Sequence, residues 1–350
     1  MKNNFLKYFI LIIILCFMGV LSIYLTKNTV SDYYSYFYHQ LIYIFIGIIC
    51  FILFSRINYN YLKKYSLLFY IVGIFLLIYT LFFGNSINGS RSWINLFGIS
   101  IQPSEFVKIS LLICLDNYIK SKYGLLKGII LLIIPSLLTF LQPDTGTVLF
   151  YLVIFFSIFI SLGLNKKIYF SLVGFLFIVC FCYFYIYFNN SDLFIDIFGT
   201  SFFYRTDRVL NFLNNDGFQI NNALIGIGNG KVFGNWLNYV IYIPEILTDF
   251  MFANILIRFG FLGGIILLFC FIVLDYLFIR DIKYFKNNYF IIGLFGVFLY
   301  QQIQHIYMNI GILPITGITL PFVSYGGSSL LSYFILFGIF FNIKKYQYDT

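Results

Sequence analysis

Long apolar runs alternate along this chain with short polar breaks, and most of the runs are of similar size. A bilayer core is crossed by about 20 mostly apolar helical residues. Ten stretches fit, at about 6–26, 38–55, 66–84, 104–119, 125–142, 146–164, 168–188, 250–274, 288–310 and 322–342. The pattern predicts an all-α polytopic membrane protein with about ten transmembrane helices, organised as one domain over residues 1–350. An even count of crossings puts both termini on one side. The one long break, 189–249, holds Phe, Tyr, Trp236 and several Gly with no low-complexity tract, which predicts an ordered loop.

Composition strengthens this reading. The 350 residues are 61% hydrophobic and 10% charged, with a mean hydropathy of +0.91, whereas soluble domains carry roughly 25% charged residues. The first run lacks a small-residue cleavage site, so it is read as an anchor and not as a signal peptide. Charge gives the orientation. Fifteen of the 22 basic residues, among them Lys2, Lys7, Arg56, Lys63, Lys64, Lys166, Lys167, Lys286 and Lys344, lie on the side of the termini. The positive-inside rule makes that side cytoplasmic, in the cytoplasmic membrane, and makes 189–249 a large extracytoplasmic loop. The net charge of +9 is this anchoring bias and gives no reason to expect nucleic acid as a partner. Nine of the 13 acids fall at or near the outer face: Asp32, Glu105, Asp144, Asp192, Asp196, Asp207, Asp216, Glu245 and Asp249. Acids contribute little to topology, so their gathering there asks for a chemical reason.

Several motifs offer one. In "GSRSWINLFGISIQPSEFVK" (89–108), Arg91 and Trp93 suit an interface with lipid headgroups, and Pro103 suits the first turn of a helix. Glu105 and Lys108 are three apart and share a helix face, either as a structural ion pair or as a contact to substrate. In "LQPDTGTVLF", Asp144 reads as a helix cap. "GIGNGKVFG" (226–234) is no phosphate loop, because Ile225 and Val232 stand where Gly and Ser or Thr are required, and it reads as a flexible surface turn. In "GITLPFVSYGGSSLL" the small residues suit close helix packing, while Pro321 and Ser324 stand where a cavity wall would be. The six cysteines sit in apolar runs without metal spacing, and His39 and His305 lack partners, so no metal site, cofactor or histidine triad is expected. A divalent cation does not follow from the sequence. Glu245 and Asp249, four apart in "IPEILTDFMFA", stand where the long loop re-enters the membrane. Asp249 there is a helix cap or a general base, and Arg91, Lys108, Arg205 and Arg208 are the cations available to a nearby diphosphate.

"GSRSWI", "IQPSEFVK", "LQPDTGT", "YRTDRVLNFL", "IPEILTDFMFA" and "LPITGITLPFVSYGGSS", in this order over 89–331, make the chain resemble the SEDS family, the RodA, FtsW and SpoVE polymerases of bacterial peptidoglycan. "LQPDTGT" and "TGITLPFVSYGGSS" tilt the likeness toward RodA and cell elongation, while "SIQPSEF" and "GIT" also look like FtsW and SpoVE. The resemblance implies polymerisation of lipid II on the outer membrane face beside a class B penicillin-binding protein. It carries the essential acid onto Asp249, a Glu and Lys onto Glu105 and Lys108, and an Arg pair onto Arg205 and Arg208. Asp249 would then deprotonate the 4-hydroxyl of the acceptor N-acetylglucosamine, whose oxygen attacks the donor's anomeric carbon and expels undecaprenyl diphosphate with inversion.

Some positions depart from the family pattern. Ile246 and Leu247 precede the Thr-Asp-Phe, Ile257 and Arg258 stand where a pair of Glu is common, and Ser92 replaces a second Arg. His305 and Tyr307 replace Asn and Gly, and the outer loop is short before "YIPE". Two other classes fit part of the pattern: a flippase for lipid-linked precursors, which needs charges along a path through the bilayer, and a non-catalytic scaffold for a penicillin-binding protein.

Overall fold

In the computed structural model, the described residues are all but 1, 28, 31, 88, 97–98, 164–165, 214–216, 237–240, 286–287 and 349–350. Asp216 and Lys286 of the charge pattern therefore lie outside the described residues. Helices α1 (Lys2–Leu25) and α2 (Tyr33–Arg56) are followed by a six-residue helix α3 (Tyr59–Lys64) and by α4 (Ser66–Phe83). Three short strands come next, β1 (Asn85–Ile87), β2 (Ser90–Leu96) and β3 (Ile99–Ile101), paired antiparallel in the order β1-β2-β3. Then come α5 (Pro103–Tyr118), α6 (Gly124–Leu141), α7 (Thr145–Ser161) and α8 (Lys166–Asn189). The long loop contains α9 (Ser191–Phe198), α10 (Thr200–Leu213) and α11 (Phe218–Gly230), and the chain closes with α12 (Met251–Tyr284), α13 (Tyr289–Asn309) and α14 (Gly327–Tyr348).

Each of the ten sequence-predicted spans coincides with one helix, and among the described residues six helices are long and apolar enough to cross a membrane by length and composition. Two features differ from the expectation. The 85–101 stretch forms a small meander, in which Gly89 takes a φ of +80° before β2 and the β-favouring Trp93 and Ile94 lie within that strand. Helix α12 runs ten residues past 274, since the charges that suggested a loop are accommodated within it. Asp281 is buried, accepts from the Tyr8 hydroxyl at 2.8 Å and pairs with Lys344 at 2.5 Å.

Helix α14 is the most enclosed of the membrane-length helices and packs along α2, while α12 packs on α1 and α11, and α13 on α7. Phe278, Phe298, Phe322, Tyr333, Phe337 and Phe340 interlock at the centre, with Phe278 and Phe340 centroids 4.8 Å apart. Such pairs each contribute about 0.5–1.5 kcal/mol beyond burial. At the predicted cytoplasmic end, Asp116 binds Lys63 at 2.7 Å and the Tyr59 hydroxyl at 2.8 Å. Its other oxygen accepts from the Tyr289 N–H at 2.8 Å, which satisfies a free donor at the start of α13. Tyr183, Tyr187, Phe194, Phe198, Phe202 and Phe203 form a smaller aromatic cluster that joins α8 to α9 and α10.

Candidate active site

The turn before α12 is built around Glu245. Its backbone φ is +53°, and its carbonyl accepts from the N–H groups of Thr248 (3.2 Å), Asp249 (3.0 Å) and Phe250 (3.1 Å). The Thr248 hydroxyl donates to the Glu245 carboxylate at 2.9 Å, so both ends of this residue shape the turn. Asp249 precedes α12 by two residues. The helix start would leave N–H groups without partners, and α13 supplies them. Phe252 N–H donates to His305 Nε2 at 3.3 Å and Ala253 N–H to Asn309 Oδ1 at 2.9 Å. The N-cap is Phe250, with no side-chain cap. Capping, one of the two roles open to Asp249 from sequence, is thus performed by other residues, and the half-buried Asp249 has its carboxylate near Gly317, where an added Cβ would lie 3.8 Å from Oδ2. Crowding by protein raises its pKa to about 7, reinforced by the Glu245 charge and opposed by a Thr248 hydrogen bond.

The segment between α13 and α14 forms the facing wall. Ser324 Oγ accepts from Leu320 N–H at 2.9 Å and donates to the Thr248 carbonyl at 2.8 Å, while Tyr325 N–H donates to the Leu247 carbonyl at 2.9 Å. The sequence pattern puts Ser324 at a cavity wall, as a substrate-binding candidate. It is buried, and its hydroxyl is taken up in fastening this wall to the Asp249 turn.

Glu105 and Lys108 do form an ion pair, at 2.6 Å. Both are buried: Ser332 donates to the same Glu105 oxygen at 2.9 Å, and the Lys108 ammonium lies 4.4 Å from the Tyr333 ring centroid and 5.2 Å from that of Phe150. The pair joins α5 to α14 and α7. The Tyr333 hydroxyl continues the network to Gln301, which donates to the Thr319 carbonyl at 2.7 Å. The strut thereby reaches the Asp249 wall. Arg91 is exposed on β2. Arg205 and Arg208 lie on α10, and their side chains are outside the described residues. Asp144 caps α7 through Thr147 N–H at 3.4 Å and accepts from Gln102 Nε2 at 2.8 Å.

A family model described as cell cycle protein, FtsW/RodA/SpoVE, matches residues 3–349. The chain belongs to this family. It is 34% identical to the probable peptidoglycan glycosyltransferase FtsW of Wigglesworthia glossinidia brevipalpis, over 91% of this chain and 87% of the relative. It is 29% identical to the stage V sporulation protein E of Bacillus subtilis, over 97% and 96%. In fold it is similar to RodA of Thermus thermophilus, with a TM-score of 0.71, 22% identity and coverage of 97% and 96%. A chain of a peptidoglycan synthase complex aligns at a TM-score of 0.81, with 22% identity and 98% of each chain covered.

Within this FtsW/RodA/SpoVE member, the "GIGNGKVFG" stretch is no flexible turn. It is a backbone clip on a break in α12. Gly260 interrupts the helix at φ +67°, ψ −167°, a region open in practice only to glycine. The ladder lost there is replaced by Phe261 N–H to the Lys231 carbonyl (2.9 Å), Leu262 N–H to Val232 (3.2 Å) and Asn235 N–H to Ile257 (2.7 Å). A Cβ on Gly260 would lie 2.3 Å from the Val232 oxygen, and one on Gly234 2.1 Å from the Arg258 oxygen. Arg258, whose partner the sequence did not reveal, donates to the Trp236 carbonyl at 3.1 Å and to Thr29 Oγ1 at 3.2 Å. The half-helix that follows Asp249 is thus held at its start by α13 and at its end by this clip. The residues that sequence reasoning missed, His305, Asn309, Gly260 and Gly234, act through backbone groups distant in sequence. The only local signal was the glycine spacing in 226–234.

Proposed function

We propose that the chain is a peptidoglycan glycosyltransferase that polymerises lipid II at the outer face of the cytoplasmic membrane, with Asp249 as general base. The observation that carries this reading is a carboxylate beside a helix N-terminus that it does not cap. The residue is half-buried and its carboxyl pKa is raised to about 7 by crowding, where a base is half ionised at neutral pH. Asp249 takes the proton of the acceptor 4-hydroxyl. The oxygen attacks the anomeric carbon of the donor sugar from the face opposite the diphosphate, the glycosidic bond forms, and undecaprenyl diphosphate leaves with its electron pair. Inversion follows from the single displacement. Exposed Arg91, with Arg205 and Arg208 on α10, supplies positive charge for the leaving diphosphate, whereas Lys108 acts only through the strut. Glu245 acts by shaping the turn and raising the Asp249 pKa.

The cytoplasmic placement of both termini rests on the basic residues gathered on their side. A class B penicillin-binding protein is the expected partner, from the family resemblance and the fold shared with a peptidoglycan synthase complex. The elongation role rests on the RodA-like sequence motifs, beside relatives named FtsW and SpoVE. A transport path is disfavoured, because among the described residues the buried charges Glu105, Lys108, Asp116, Arg258, Asp281 and Lys344 are all engaged within the packed protein.

The test is a reconstitution: the purified chain with a class B penicillin-binding protein whose crosslinking serine is blocked, supplied with lipid II. Glycan strands of β configuration are expected. No glycan, beside an active family control, would contradict the proposal.

A further inference from the structure

Asp249 is held in place mainly by its neighbours. The His305 ring is fully buried between two elements, with Nε2 3.3 Å from the Phe252 backbone nitrogen and Nδ1 2.7 Å from the Ile318 carbonyl oxygen. A backbone N–H donates and a carbonyl accepts, so the ring accepts at Nε2 and donates from Nδ1. Only the neutral Nδ1–H tautomer satisfies both contacts. The imidazolium would set a donor against the Phe252 N–H, and the other tautomer would fail on both sides. One turn along α13, Asn309 donates to the Asp249 carbonyl at 2.9 Å, to the His305 carbonyl at 2.8 Å, and accepts from Ala253 N–H. Ile318 is the neighbour of Gly317, where an added Cβ would lie 3.8 Å from Asp249 Oδ2. The imidazole therefore bolts the helix start that carries Asp249 to the wall that faces its carboxylate.

We propose that His305, as the Nδ1–H tautomer, is a positioning residue for Asp249, fixing the spacing between the start of α12 and the wall at 317–318. This rests on the reading of Asp249 as the base. His305 touches no reacting atom. If either bond is lost, the wall parts from the helix start, water reaches the carboxylate and its pKa falls toward the ordinary value. Among the described residues, the ionisable side chains around the turn are Glu245 within it, His305 from α13 and Tyr325 from the facing segment. Of these, Glu245 supplies the charge that acts on Asp249.

Two substitutions separate the bonds. His305→Gln places an amide oxygen near Nε2 and keeps the acceptor for Phe252 while giving up Ile318. His305→Asn places an amide nitrogen near Nδ1 and does the reverse. The full chain in nanodiscs, with its penicillin-binding partner, is assayed on lipid II. Both variants are expected to lose about tenfold to a hundredfold in kcat with KM nearly unchanged, as small misplacements at a reacting centre do. The acid limb of the rate profile should move at least about one pH unit below the wild type. Infrared titration of the Asp249 carboxyl band, identified by subtraction of Asp249→Asn, should show the same displacement without any turnover. Unchanged kcat and an unmoved carboxyl titration in folded variants would overturn the proposal. So would failure of both variants to fold, which would assign His305 to the scaffold alone. If wild type makes no glycan, the polymerase reading fails, and the infrared titration still decides whether His305 sets the Asp249 environment.

Discussion

Breaking the buried ion pair between Glu105 and Lys108 should cost far more than removing it. In Lys108→Met, Glu105 keeps the Ser332 hydroxyl but loses the ammonium 2.6 Å away. A buried charge left without its partner costs about 3–5 kcal/mol. The lost contacts of the ammonium with the Tyr333 and Phe150 rings, at 4.4 and 5.2 Å, add about 1 kcal/mol or more. The double variant Glu105→Gln with Lys108→Met buries no charge, and such replacements are often close to neutral. Folding free energies from denaturant titration of the purified chain in mixed micelles should therefore show the double variant more stable than Lys108→Met alone. Because the strut reaches the Asp249 wall through Tyr333, Gln301 and Thr319, glycan synthesis should recover along with stability. Equal losses that simply add would refute the coupling. A double variant that is stable but makes no glycan would refute the structural assignment and put Lys108 on the substrate.

Other expectations follow from the same contacts. Asp249 must be ionised to act as a base, so with a pKa raised to about 7 the rate should rise with pH through about 7. The same shift favours the protonated folded state. Its stabilising effect is complete below the ordinary carboxylate value and is lost as pH rises through about 7, a dependence that Asp249→Asn should abolish in thermal melts. Gly260→Ala meets both the Val232 oxygen at 2.3 Å and a backbone region closed to alanine. A loss of about 1–3 kcal/mol or more is expected in the same titrations, and an unchanged midpoint would mean the α12 break is not rigid. Ser324→Ala leaves Leu320 N–H and the Thr248 carbonyl without their shared partner. It should lose about 1–3 kcal/mol, with lowered kcat and little change in KM.

The course of the polypeptide was legible wherever a membrane dictates the pattern. Runs of apolar residues placed ten helices to within a few residues at most of their ends, and Asp144 announced its cap through a local "PDTGT". Legibility failed where a charge was satisfied from far away. The partners of Asp281, Tyr8 and Lys344, are remote in sequence, so the apolar pattern ends at 274 while α12 continues to Tyr284. Arg258 showed no partner because its acceptors are a backbone carbonyl at Trp236 and a hydroxyl at Thr29. The strands at 85–101 were too short to stand out beside turn residues. At the site, the position of Asp249 was readable from motif and boundary. Its freedom from capping was not, since that depends on His305 and Asn309, some fifty to sixty residues along the chain. His305 looked like an apolar-helix residue because both of its partners are main-chain atoms, which no residue type betrays.

The central claim is that Asp249 performs the chemistry. The most direct measurement compares wild type with Asp249→Asn, each purified in complex with the same penicillin-binding protein, for glycan formed from lipid II. Glycan from wild type, none from the variant and an intact complex in both cases is the outcome this account requires. Polymerisation by Asp249→Asn at the wild-type rate would contradict it.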